Sequence, residues 1–385
     1  MLLKGTRVVE WAEGLSAPFT ARLLADLGAD VVKIERPGGD PLRQKGPFWP
    51  GHTGADASAL FGYVNAGKRS VTLDLDREPG RLAEFLSGAA ILVESQPAAT
   101  WDQRNLSIAA LQARYPALVI LSLTPFGRSG PLRNAPATDF TLQHRAAFAY
   151  NMARPVDEPE ARGPLAGADH EGPLAVGVAG ALAAVWGLLV AAGGAGPHID
   201  LASHDFYAHI AFEGLADWSN GERAFSRRRV KREGTEAAGG LTWILPCADA
   251  GWVMVSPREQ HQWDRWIELL GNPAWAADAA FCGTRVERRR NWFELQAAMT
   301  EWSSYQSAEE VTRRAQAVSV ACFPISTPDA LLRNAQLQHR QFFDRLVSPS
   351  GMEATVPGLP IHLQTTSHGA LPHARTLRSP SLEPV

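Results

Sequence analysis

At 385 residues, with 45% hydrophobic and 20% charged residues, the chain has a globular composition and suits one large α/β domain or two domains, which excludes general disorder. A formal net charge of -3 and a pI near 6.4 offer no basic surplus for nucleic acid or an anionic membrane, so any bound anion must be met by a local cluster. Cys247, Cys282 and Cys322 are too scattered for a disulfide framework or a CxxC knuckle and indicate a reduced, cytoplasmic protein. The N-terminus reaches Glu10 before a long apolar region can build, unlike a signal or transit peptide.

The chain opens as a βαβ unit. "TRVVEW" is a β-branched strand, "SAPFTARLLADLG" has helical spacing and stops at Gly28, and "ADVVKIE" is a second strand. Further strands are predicted at "RSVTLDLD", "AILVES" and "ALVILSLT", with helices at "GRLAEFLSG" and "SIAALQARY" between them. Strands alternating with helices predict a mostly parallel, doubly wound sheet. Next comes "GADHEGPLAVGVAGALAAVWGLL" from Gly167, whose apolar part is long enough to cross a bilayer. Its Ala and Gly content and the lack of flanking Lys/Arg point instead to a helix buried on all sides.

"GPHIDLASHDFYAHIAFEGLADW" reads as a strand continuing into a helix, and "RAFSRRRVKREG" as a charged surface linker. "LTWILPCADAGWVMVSP" predicts a hairpin around Ala248 to Gly251, followed by helices. The expected organisation is α/β: a large domain over 1–210, a linker over 211–233, a smaller α+β domain over 234–328, and a return to the large domain over 329–385. The tail after Thr365 is expected to be irregular.

Chemistry is sought at the strand ends. The turn "EGLSAPF" lacks G-x-G-x-x-G, which argues against a bound dinucleotide even though Glu35 ends the second strand. In "KIERPGGDPLRQKG", Arg36 and Arg43 flank a Pro-Gly-Gly-Asp turn where an open sheet places ligands, and could fork onto phosphate oxygens. Lys68 precedes another strand and Arg104 follows "AILVES"; each is either a solvated surface charge or part of a site for a phosphate-rich ligand. No HExxH, zinc knuckle, GxSxG or P-loop is present, so no metal site is expected, and "SHD" at Ser203 to Asp205 has triad residue types but not triad spacing. Asp169, just before the apolar helix, suits two roles: an N-cap, or a nucleophile kept ionised at a helix N-terminus.

Together "LLADLGADVVKIERPGGDPLR", "NAGKRSVTLDLD", "LSLTPFGRSGP" and "DHEGPLAVGVAGALAAVWGLL" resemble the class III coenzyme A transferase family, which includes the related α-methylacyl-CoA racemases. The likeness runs from Met1 to about Leu363. It implies a Rossmann-like large domain formed by both chain ends, a small domain between, and an interlocked homodimer. It also implies coenzyme A (CoA) as substrate rather than resident cofactor, an acyl-CoA and a carboxylic acid as partners, and neither nucleic acid nor membrane. Arg36, Lys68 and Arg104 map by motif onto CoA-binding positions, the backbone at Ala17 lies along the CoA, and the catalytic aspartate falls on Asp169. Gly239 and Gly240 are candidates for a glycine loop donating N–H groups to an oxyanion. The racemases' His precedes an Asp where this chain has Thr138 and Asp139, so the resemblance favours a transferase; His144 or His170 would have to supply a racemase's base. Departures include Ser95 in place of Asn, "QHRAA" in place of QA-x-SG, and "VAAGGAGPHID" after the apolar helix. A CoA-binding homologue without catalysis is the third alternative.

Overall fold

The computed structural model describes residues 2–152, 163–168, 170–221, 241–361 and 376–380. Asp169, Gly239 and Gly240 lie outside the described residues. Six parallel strands build the main sheet: β1 (Arg7–Trp11), β2 (Asp30–Glu35), β3 (Arg69–Thr72), β4 (Ile91–Glu94), β5 (Val119–Thr124) and β6 (His198–Ala202). Their order is β3-β2-β1-β4-β5-β6, so the direction of winding reverses between β1 and β4. Val8, Val31, Ile91, Val93 and Leu121 face one apolar layer and Val9, Ile34, Leu92 and Ile120 the other, which is why these strands read as nearly continuous β-branched runs. The helix Ser16–Asp26 closes the first βα unit; it ends at Leu27, and Gly28 takes φ +104° while the Ala29 N–H returns to Leu24 O.

The helix Glu171–Ala191 was expected to be buried on all sides, and the structure corrects this. One face is small and packs closely. A Cβ on Gly177 would stand 2.8 Å from Ser16 O, one on Gly187 2.6 Å from Val119 Cγ1, and one on Gly180 would overlap Thr20 Oγ1. Thr20 Oγ1 donates to Gly177 O at 2.9 Å. Because Ser16 meets Gly177 and Thr20 meets Gly180, the two helices run parallel. The opposite face exposes Val178, Leu182, Trp186 and Leu189, with Leu182 73% accessible. Apolarity all round therefore reflects two different faces, one packed on its own fold and one bare.

Buried ion pairs set the loops at the carboxyl edge. Glu10 Oε1 accepts from Lys33 Nζ at 2.8 Å and Glu10 Oε2 from Lys68 Nζ at 2.6 Å, with all three side chains inaccessible. Lys33 also donates to Ala12 O and pairs with Asp40; Lys68 also donates to Pro18 O and Asn65 Oδ1. Burial takes Lys68 down to about 8, with Glu10 opposing, so it is still an ammonium at neutral pH. Glu35 accepts two hydrogen bonds of 2.7 Å from Arg43, one from the Asp40 N–H at 2.8 Å, and one from Ser70. Arg43 reaches on to Asp56 at 2.8 Å and stacks over Phe61.

The second unit has described residues from 241 to 334 and an antiparallel sheet β7-β8-β9, with β7 (Trp243–Pro246), β8 (Trp252–Ser256) and β9 (Ala321–Pro324). β7 and β8 form the hairpin, its turn carrying Ala250 at φ +58°. Trp243, Trp263 and Trp266 fill the core of this unit. The chain rejoins the first unit at Ala335. There β10 (Phe343–Val347) pairs with β11 (Glu353–Pro357) and with β12 (Thr376–Arg378). The helix expected after β6 continues through Phe212–Gly221, and within the tail expected to be irregular Thr376–Arg378 forms β12, whose Arg378 O accepts from the Gly67 N–H.

Burial raises the Glu35 carboxyl, but the Arg43 hydrogen bonds and charge outweigh it and hold the group at about 2, against an ordinary 4.5. A lowered carboxyl contributes stability above pH 4.5 that is lost as pH falls toward 2, at most about 3 kcal/mol. Glu35→Gln is therefore expected to unfold at lower urea than the parent at pH 7, with the gap closing near pH 3. A gap of equal size at both pH values would show that the pair makes no such contribution.

Candidate functional site

The reversal between β1 and β4 opens a crevice at the carboxyl edge, where ligands of such sheets bind. Its floor is stitched together. The Glu13 N–H donates to Ser95 Oγ at 3.0 Å, Ser95 Oγ donates to Glu13 O at 3.3 Å, and Gln96 Nε2 donates to Trp11 O at 3.2 Å. Gly14 turns the chain with φ +85°, and the helix at Ser16 starts without a side-chain cap, Leu15 standing at the N-cap position. Ala17 is buried in that first turn, so its backbone lies where a helix N-terminus favours an anion.

Arg36 and Arg104 approach this turn from either side. Arg36 follows β2, is largely exposed, and pairs with Glu13 at 3.3 Å. Burial raises the Glu13 carboxyl and Arg36 opposes the shift. Arg104 ends the helix Ala98–Gln103, its guanidinium 5.4 Å from the centre of the Trp11 ring. One of its nitrogens pairs with Asp76 at 2.6 Å; Nε and Nη1 are buried with no hydrogen-bond partner among the described residues. Buried donors without acceptors are costly, and an anion is what would satisfy them.

Lys68 and Arg43 are placed elsewhere. Both were expected as exposed cations for phosphate, yet Lys68 hands all three protons to Glu10, Pro18 and Asn65, and Arg43 is locked between Glu35 and Asp56. Their donors hold the loops that carry Ala17 and Arg36, because a buried charge is stable only when paired. The structure thus gathers Ala17, Arg36 and Arg104 about residues 11–17, with Lys68 and Arg43 as supports beneath.

Asp169 itself lies outside the described residues, but its neighbours are placed. The apolar helix begins at Glu171 with His170 at the N-cap position, in the left-handed region at φ +75° and with no side-chain cap bond. Six residues separate Glu171 from the contact of Gly177 with Ser16, so the helix start overhangs that of Ser16–Asp26 by about 9 Å. The Gly167 N–H donates to Gln143 Oε1 at 2.8 Å. Thr138, at the racemase histidine position, is occupied in a capping box with Thr141 at the start of Asp139–Arg145. His144 has its ring nitrogens 2.7 Å from Phe140 O and 3.3 Å from Pro164 O. Ser203 starts the helix after β6, and His204 pairs only with the adjacent, exposed Asp205 at 3.2 Å. That pair is not a triad.

Two groups escaped the sequence reading. Arg128, after β5, pairs with buried Glu94 at 2.9 Å, donates to Ser122 Oγ at 3.1 Å and stacks over Trp101. The rule that singled out Arg36, a cation just beyond a strand, would have found it. Asp139, Gln143 and Tyr207 also converge, through bonds between residues as much as 68 positions apart that no local pattern signals.

A family model for CoA-transferase family III matches residues 3–375. The chain is 33% identical over 375 residues to the succinyl-CoA:(R)-benzylsuccinate CoA-transferase subunit BbsE of Thauera aromatica, covering 92% of this chain and 86% of that protein. It is 26% identical over 364 residues to a succinate–glutarate CoA-transferase of Agrobacterium fabrum, covering 93% and 88%. The solved structure of a CAIB/BAIF family protein from Brucella suis matches with TM-score 0.82 at 26% identity, covering 98% of this chain and 96% of that one. With a parallel α/β sheet whose strand order reverses between β1 and β4, and matches over nearly its whole length, the chain belongs to CoA-transferase family III.

Proposed function

We propose that the protein moves CoA from an acyl-CoA thioester to a carboxylic acid, with Asp169 as the nucleophile. The observation that carries this reading is Arg104, whose Nε and Nη1 are buried near the Trp11 ring at the end of β1 with no acceptor among the described residues. Phosphate oxygens of CoA supply such acceptors, and Arg36 adds a second, exposed guanidinium, paired with Glu13 in the turn after β1.

The reaction conserves the thioester by exchanging carboxylates around it. Ionised Asp169 attacks the thioester carbonyl, the C–S bond breaks, and CoA thiolate leaves behind a mixed anhydride. The thiolate attacks the aspartyl carbonyl and expels the donor acid, giving an aspartyl-CoA thioester. The acceptor carboxylate then displaces the thiolate to form a second anhydride, and thiolate attack on its acceptor carbonyl yields the new acyl-CoA and regenerates Asp169. Each tetrahedral intermediate places negative charge on oxygen, and Gly239 and Gly240 remain the candidate N–H donors. The two transferases named above share succinyl or succinate groups, which makes succinyl-CoA the first donor to test.

A second copy of the chain is the proposed partner. The row Val178, Leu182, Trp186 and Leu189 supports this, as a contiguous apolar strip of this kind ordinarily marks an interface.

Incubation with succinyl-CoA followed by hydroxylamine is expected to convert Asp169 to its hydroxamate, detected by mass, and Asp169→Asn is expected to abolish both adduct and exchange. Absence of an adduct across a panel of acyl-CoA donors, with CoA still bound, would leave a binding protein rather than a transferase. Arg104→Ala is expected to raise KM for the CoA donor about 10- to 100-fold, the cost of charge-assisted hydrogen bonds, with a smaller effect on kcat. If KM does not move, Arg104 does not hold CoA. Leu182→Glu with Leu189→Glu should convert the assembly to monomer in sedimentation; a monomeric parent would remove the partner proposal.

A further inference from the structure

The segment that carries Asp169 is anchored on both sides by a polar cluster outside the CoA crevice. Asp139 accepts from Gln143 Nε2 at 2.6 Å through Oδ2 and from the Tyr207 hydroxyl through Oδ1. Gln143 turns its other amide atom outward, Oε1 accepting from the Gly167 N–H at 2.8 Å. Tyr207 and Gln143 are each 1% accessible. Gly172 closes the cluster from the far side of Asp169: a Cβ there would overlap the Tyr207 hydroxyl and stand 3.0 Å from Asp139 Oδ1 and from Gln143 Nε2. Hence the residue two before Asp169 is held by Gln143 and the residue three after it lies against all three side chains, which come from Asp139–Arg145 and Ser203–Ile210.

We infer that Gln143 and Tyr207 are positioning residues for the transfer step, fixing through Asp139 the turn from which Asp169 attacks. The inference rests on the proposed role of Asp169. An attacking carboxylate must meet the thioester carbonyl within a narrow range of distance and angle, and misplacement by 1 Å costs on the order of 100-fold. A turn with a left-handed residue at His170 and no cap bond of its own needs outside support to hold one geometry. The Tyr207 hydroxyl supplies it as a permanent donor, since burial and the adjacent Asp139 raise its pKa far above the usual tyrosine range. Gln143 supplies it by reading both partners: its amide nitrogen must face the carboxylate and its oxygen the Gly167 N–H, which fixes the amide in one orientation.

The test uses the full-length protein with Tyr207→Phe, which keeps the ring and deletes one hydroxyl, and Gln143→Leu, which keeps the bulk and deletes both hydrogen bonds. Steady-state kinetics with succinyl-CoA and its acceptor, hydroxylamine trapping, and thermal unfolding are measured together. The expected result is a fall in kcat of about 10- to 100-fold in each variant, with a matching loss of Asp169 adduct. KM for succinyl-CoA should be unchanged, because the CoA crevice is untouched. Unchanged kcat in both variants overturns the inference. So does a loss of kcat that tracks a lowered melting temperature and a raised KM, because the cluster would then serve folding alone. A parent protein that forms no adduct on Asp169 is a third and separate result: it removes the transferase reading, and this inference with it.

Discussion

Glu10 lies between two buried lysines where three strands meet. Its carboxylate takes Lys33 from β2 on one oxygen and Lys68, just before β3, on the other. None of the three charges is tolerable alone in that environment, so the loops that present them are held in one arrangement. Lys68 also grips Pro18 O in the first turn of Ser16–Asp26, and Lys33 grips Ala12 O just past β1. The turn between, residues 12–18, is thereby pinned at both ends. That turn carries Glu13, the partner of Arg36, so its shape follows from a buried ion network.

A second constraint places the start of the apolar helix. Gly177, Gly180 and Gly187 let the apolar helix approach Ser16–Asp26 and β5 more closely than any side chain would allow. The register of that contact carries the first turn and a half of the apolar helix beyond the start of Ser16–Asp26. The same helix leaves its larger residues bare, since small and large side chains alternate around it rather than along it.

Much of the architecture could be read in advance for simple reasons. β-branched runs such as "VVKIE" and "LVILSLT" are buried on both faces, which is the condition under which parallel strands lose alternation. Gly28 ended the first helix because a left-handed C-terminal position favours it. The motifs around Arg36, Lys68 and Asp169 carried the family resemblance. Less legible was β12, too short to leave a pattern.

What the sequence determined by itself was the strands β1 to β8, the mostly parallel class of the main sheet, and the residues whose chemistry suits a CoA thioester. Propensity and periodicity are local, and a family motif fixes identity wherever it occurs. Only the tertiary structure decided which cations are available. Lys68 and Arg104 look alike in a string, yet one finds three acceptors around it and the other has two buried donors unmatched among the described residues. It also decided that the apolar helix has a packed face and a bare one, and that Asp139, Gln143 and Tyr207 meet beside the turn of Asp169. Partnership depends on distances across the fold, and those are set by packing between segments that the sequence keeps far apart.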